Sequence, residues 1–141
     1  MQLDFDSINI PAPTTQYLAD EAVFSGSQIA VAARTVCTDG KCVINVGNGN
    51  SLTFNSVHAG APGKAKVIFL YLTGVERSAD ILVNGGKPLT INFPATCNDS
   101  GDFTRVGAIT IELPLSPGKN SITIANQHAP APDFDSILVA D

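Results

Sequence analysis

The sequence predicts an all-β protein, a β-sandwich of jelly-roll type. Short runs of alternating or wholly apolar β-formers follow one another closely, and turns rich in glycine, proline and asparagine separate them. No stretch sustains the apolar period of a helix. At 141 residues the chain has room for one domain with a substantial core and not for two.

The elements follow in order. Val43-Ile44-Asn45-Val46 and Ser51-Leu52-Thr53-Phe54 flank the turn Gly47-Asn48-Gly49-Asn50. Lys66 to Leu72 reads as a buried strand; its apolar run Val67–Leu72 is the longest in the chain and far too short to cross a bilayer as a helix. Asp80-Ile81-Leu82-Val83, the turn Asn84-Gly85-Gly86 and Leu89-Thr90-Ile91-Asn92-Phe93 form a hairpin signature. Ala108 to Leu113 alternates, Pro114 to Asn120 turns, Ser121-Ile122-Thr123-Ile124 alternates again, and Phe134 to Val139 closes the chain. That makes nine or so short strands.

One repeat marks a boundary. Asp133-Phe134-Asp135-Ser136-Ile137 recurs letter for letter at Asp4-Phe5-Asp6-Ser7-Ile8, 129 positions earlier. Pro11-Ala12-Pro13-Thr14-Thr15 reads as a semi-rigid linker, so the compact domain is expected to begin near Gln16 or Tyr17. Residues 1–15 then read as the tail of a preceding module or a linker, and 16–141 as the domain. A rival account makes residues 3–10 an extra strand able to exchange with its twin in another chain.

Composition excludes several functions. The formal net charge is −5 with no cluster of lysine and arginine, which disfavours nucleic acid and anionic membrane as partners. Asp99, Asp102, Glu112 and Glu76 are scattered, and no serine elbow, phosphate loop or zinc motif is present, so an enzyme is not expected. Cys37 and Cys42 flank the polar turn Thr38-Asp39-Gly40-Lys41, and a disulfide is favoured over two free thiols; Cys97 is left over. A disulfide and the sequon Asn98-Asp99-Ser100 favour a secreted protein.

Two aspartates raise a question of charge. On regular strands Asp20 shares a face with Ala22 and Phe24, and Asp135 with Ile137 and Val139. Two inward carboxylates repel unless one is protonated or a cation lies between them, and each has the alternative of accepting backbone N–H groups.

From Tyr17 to Val139 the order of motifs resembles carbohydrate-binding module family 35 and, more distantly, family 6. The motifs are Tyr17-Leu18-Ala19-Asp20-Glu21-Ala22 leading to Ser25-Gly26; the glycine loop Gly47-Asn48-Gly49-Asn50 before a strand; Val83-Asn84-Gly85; Phe93-Pro94; Ser116-Pro117-Gly118 into Ile122-Thr123-Ile124; and the final Asp133-Phe134-Asp135-Ser136-Ile137. The loop cysteines and the Pro-Asp-Phe-Asp ending look most like fungal modules appended to α-galactosidases and galactan-degrading enzymes. The resemblance implies a structural calcium ion held by Asp20 and Asp135, with Leu18 standing where the family has its first glutamate. It also implies a galactose-type pocket on Tyr17, Gly47, Asn48, Thr73 and Asp133, with Glu76, Arg77 and His128 on the same or adjoining loops. Thr73 stands where galactan-binding relatives have asparagine. The expected role is to hold an attached glycoside hydrolase near galactose-containing glycans; the rival is a structural or interaction sandwich that has lost its sugar site.

Overall fold

The computed structural model describes residues 14–60, 63–99 and 101–140. Their strands are β1 (Thr14–Leu18), β2 (Val23–Ser25), β3 (Ala30–Ala33), β4 (Lys41–Ile44), β5 (Ser51–Ala59), β6 (Gly63–Leu72), β7 (Arg77–Val83), β8 (Leu89–Phe93), β9 (Gly107–Leu115), β10 (Gly118–Ala125) and β11 (Asp133–Ala140). One sheet runs β3-β4-β11-β6-β9, with β1 on the same edge of β11 that β4 uses; the other runs β2-β5-β10-β7-β8. Every pairing is antiparallel. The expected sandwich is therefore present, with the β7–β8 hairpin turning at Asn84-Gly85, both at positive φ.

The two sheets close over one apolar core. Phe93 from β8 lies at its centre, fully buried, with edge-on ring contacts to Tyr71 at 4.9 Å, Phe134 at 5.6 Å and Phe69 at 6.1 Å. Such geometry sets the positive ring edge against the negative face. Phe93→Ala should cost about 3–5 kcal/mol, read as a fall in urea midpoint with unchanged slope.

The long apolar run in β6 follows from burial on both faces. Val67, Phe69 and Tyr71 join the inter-sheet core, whereas Ile68, Leu70 and Leu72 are buried on the outer side. Leu72 packs with Cys37 and Cys42, and Val36, Phe103 and Val106 close over them. Cys37 and Cys42 form the expected disulfide, with Cα atoms 5.9 Å apart. Cys97 is a free thiol, half-buried against Arg105.

Three expectations need correction. Thr14 and Thr15, read as linker, already pair with Ala140 and Val139, so the domain reaches two residues further than the composition suggested. The rest of the N-terminal stretch, including the Asp4–Ile8 repeat, lies outside the described residues. Asp20 is not on a strand: Ala19–Glu21 is a single 3-10 turn. Finally, β11 is bulged between Phe134 and Ser136, which pair with the adjacent residues Tyr71 and Leu70 of β6. Phe134, Ile137 and Val139 therefore all reach the core, and Asp135, the extra residue, does not share a face with Ile137 and Val139 as regular alternation would require.

Candidate functional site

The start of β11 sits at one end of the sandwich, where several loops surround a cavity of about 390 Å³. Four of the residues expected to bind sugar meet there: Gly47, Asn48, Arg77 and Asp133. Asp133 is only 5% exposed, and its carboxylate accepts a hydrogen bond from the Arg34 guanidinium, forming an ion pair. Burial pushes the Asp133 carboxyl above its ordinary range, and the nearby charges of Arg34 and Arg77 pull it part of the way back. Both guanidinium groups lie over the ring of Phe103, at 4.8 Å for Arg34 and 5.6 Å for Arg77. Arg77 also donates to the carbonyl of Ala131 at 3.1 Å, which fixes it at the cavity rim.

The glycine loop forms a wall rather than a donor array. Its backbone N–H groups are all engaged: Gly47 with Asn50, Asn48 with Ala129, Gly49 with Asn126 and Asn50 with Gly47. The side-chain amide of Asn50, itself buried, donates to the Gly47 carbonyl at 2.9 Å. What remains toward solvent is side chain, with Asn48 and Asn45 both exposed at positive φ. These backbone N–H groups are therefore taken up within the protein and not offered to a ligand.

Four further residues stand elsewhere. Thr73 is fully buried, and its hydroxyl donates to the Val75 carbonyl at 2.6 Å, so it shapes the turn after β6 and does not line the cavity. Tyr17 pairs with Ile137, which lies beyond the bulge from Asp133, the two spanning three residues of β6, or about 10 Å of strand. Its ring packs against the core, its hydroxyl accepts the His58 N–H at 3.0 Å, and it borders a different depression with Leu18 and Phe54. Glu76 and His128 are exposed and outside the cavity lining.

Sequence reasoning missed Arg34 and Phe103. Arg34 directly follows β3 and reaches Asp133 across 99 positions of sequence, while Phe103 sits in an irregular loop. Neither carries a local pattern that marks it.

The second candidate corner lies beside the 3-10 turn. Asp135 is satisfied within the protein: its carboxylate accepts the Thr38 N–H at 2.5 Å, the Thr38 hydroxyl at 2.9 Å and the Ser136 hydroxyl at 2.8 Å. The charge pressing on Asp20 belongs to Asp39. Partial burial and the neighbouring Asp39 carboxyl hold Asp20 above its ordinary range, and one buried Asp20 carboxylate oxygen has no hydrogen-bond partner. An unpartnered carboxylate oxygen facing a second carboxylate fits a hard, oxygen-seeking cation such as calcium. Cys37, Cys42 and Asp135 also converge within 4.8 Å, but the two sulfurs are joined and offer no thiolate.

The pH dependence of this corner has a definite sign. A carboxyl whose folded pKa is raised supports the fold below its unfolded value and loses that support as pH rises through the folded value. Asp20→Asn should therefore raise the melting temperature of calcium-free protein at pH 7 by a few degrees, and remove any difference between calcium and chelator, as read by calorimetry.

No protein-family model and no curated protein sequence matches the chain. Solved structures do. The exo-β-1,3-galactanase of Phanerochaete chrysosporium, determined with galactose, matches at 29% identity and TM-score 0.81 over 91% of this chain. This chain spans 29% of that one. A family 35 carbohydrate-binding module from Clostridium thermocellum matches at 25% identity and TM-score 0.82, covering 90% of this chain and 98% of the module. The GH26-CBM35 β-(1,4)-mannanase of Podospora anserina matches in fold, at 18% identity and TM-score 0.72, over 90% of this chain and 27% of its own. In its sandwich and in the order of its motifs, this chain resembles the carbohydrate-binding modules of family 35.

Proposed function

We propose that this chain is a non-catalytic module that binds galactose-containing glycans and keeps an attached glycoside hydrolase at its substrate, in a secreted protein. The observation that carries the reading is the cavity at the start of β11. A hexose needs a flat apolar surface for its C–H face and fixed polar groups for its hydroxyls. Phe103 and Ala131 supply apolar surface; the buried Asp133, paired with Arg34, supplies oriented acceptors and donors, and Asn45 and Asn48 stand at the rim. The cavity suits one or two sugar units rather than a long flat chain, consistent with the absence of tryptophan. Galactose enters from the similarity to the galactanase, together with the sequence resemblance to galactan-associated modules. Secretion is supported by the Cys37–Cys42 disulfide. Tethering raises the effective concentration of enzyme at the polymer without itself doing chemistry.

A second ligand reading has one observation in its favour: two arginines face a single aspartate, which favours an acidic sugar such as a uronic acid. Calcium at Asp20 and Asp39, with Asp135 braced nearby by Thr38, is proposed as a structural ion without a chemical role. Affinity electrophoresis through galactan, galactomannan and pectin separates the readings. Retardation in galactan or galactomannan supports the first and retardation in pectin alone the second. No retardation on any polymer, with the fold intact, leaves a sandwich that serves structure or interaction instead.

A further inference from the structure

The segment between β3 and β4 bonds to both buried aspartates of β11. It is closed by backbone bonds from Arg34 N–H to the Gly40 carbonyl at 2.9 Å, from Cys37 N–H to the Arg34 carbonyl at 3.1 Å and from Gly40 N–H to the Cys37 carbonyl at 3.0 Å. From this small frame Arg34 reaches Asp133, and Thr38 reaches Asp135 with both its N–H and its hydroxyl. Two buried carboxylates on β11, two residues apart, are thus gripped by one loop. They need that grip because β4 pairs with β11 at a single position, Phe134 opposite Val43, next to the bulge. The same loop carries the disulfide. Cys37 and Cys42 are 2% and 0% exposed, and with Leu72 they form the small cluster against which Phe103 packs.

We propose that the Cys37–Cys42 disulfide is a positioning element for the sugar pocket: it holds Arg34 on Asp133 and supports Phe103 from behind, so that opening it weakens ligand binding without dissolving the sandwich. This rests on the pocket reading given above. The bond closes a short loop at the edge of one sheet, while the rings that pack on Phe93 come from β6 and β11. The pocket walls depend on the bond more directly than the core does. Arg34 and Phe103 have no second covalent anchor near the cavity, and their mutual contact, 4.8 Å from guanidinium to ring, requires both to be in place.

The test compares wild type, Cys37→Ala/Cys42→Ala, Arg34→Ala and the triple variant, using galactan oligosaccharides in calorimetric titration and NMR of the Arg34 Nε–Hε group in sugar-free protein. The expected result is a cooperative melt for the double cysteine variant, an affinity at least tenfold weaker, and an Arg34 resonance moved to where it stands in Asp133→Ala. In the triple variant the loss should fall short of the product of the two separate losses, since the hold on Arg34 cannot be removed twice and only the support of Phe103 is left to lose. If the double variant fails to fold, native protein reduced with a phosphine gives the same two readouts. An affinity within twofold of wild type overturns the proposal, as does multiplication of the two separate losses in the triple variant. An unmoved Arg34 resonance overturns it whether or not sugar binds. A moved resonance in a protein that binds no galactan, galactomannan or pectin overturns the sugar reading and leaves the positioning role standing.

Discussion

Replacing Asp133 with alanine is expected to abolish retention by galactan while the sandwich still melts as one unit. A hydrogen bond to a charged group contributes about 1.5–3 kcal/mol, or roughly one to two orders of magnitude in affinity. Asp133 also holds Arg34, so its loss removes two polar groups from ligand contact at once. Asp133→Asn keeps the shape and drops the charge, and should fall between the two. The pH dependence separates binding from folding. Because burial raises the Asp133 carboxyl, protonation on acidification sets in above the ordinary carboxylate range, and binding should decline there. Stability does not follow the same course: a raised folded pKa means the group supports the fold most at acid pH and less as pH rises. Titration of ligand at several pH values, beside melting curves at the same values, reads both effects.

Gly47→Ala is expected to have the largest effect on stability among single changes at the site. Gly47 has φ +102, a conformation that costs an L-residue strain of about 1–3 kcal/mol. An added Cβ would also stand 2.5 Å from the Ala129 carbonyl oxygen and 2.5 Å from the Ala131 nitrogen, both backbone atoms that cannot swing aside. The loop would have to leave Pro130, with which Gly47 forms a β-bridge, and break the bonds from Asn48 to Ala129 and from Ala131 to Val46. A total of roughly 2–4 kcal/mol corresponds to a fall in melting temperature on the order of 10 °C for a domain of this size. Gly49, also at positive φ but with open space where its Cβ would stand, should cost less on the same change. Melting curves of the two variants side by side check the comparison.

What could be read ahead of the structure depended on range. β8 coincides with the run Leu89–Phe93, and the glycine loop was placed correctly, because alternation and turn chemistry are local signals. β3, Ala30–Ala33, escaped notice: four residues with mixed exposure carry no alternation. After Pro11 and Pro13, Thr14 and Thr15 read as linker and the domain start as Gln16 or Tyr17, whereas β11 pairs with both threonines. The face assigned to Asp135 was wrong for one reason, the bulge after Phe134, which a period of two does not anticipate. Asp133 was found from its motif, but its partner Arg34 was not, since an ion pair across the fold leaves no trace in spacing. Tyr17 and Thr73, expected in the pocket, are placed otherwise: one is turned to the core edge and the other is buried in a turn. Asp39 became visible only when folding brought its loop beside Asp20.

If the ligand site is the cavity between Asp133 and Phe103, bound sugar registers on the residues that line it. An NMR titration of isotope-labelled protein with β-1,3-galactan oligosaccharides tests it most directly. Saturable shifts are expected only at Arg34, Asn45, Asn48, Arg77, Phe103 and Asp133, with Tyr17 unmoved. Shifts centred on Tyr17 and Leu18, or saturable binding that Asp133→Ala leaves intact, would contradict it.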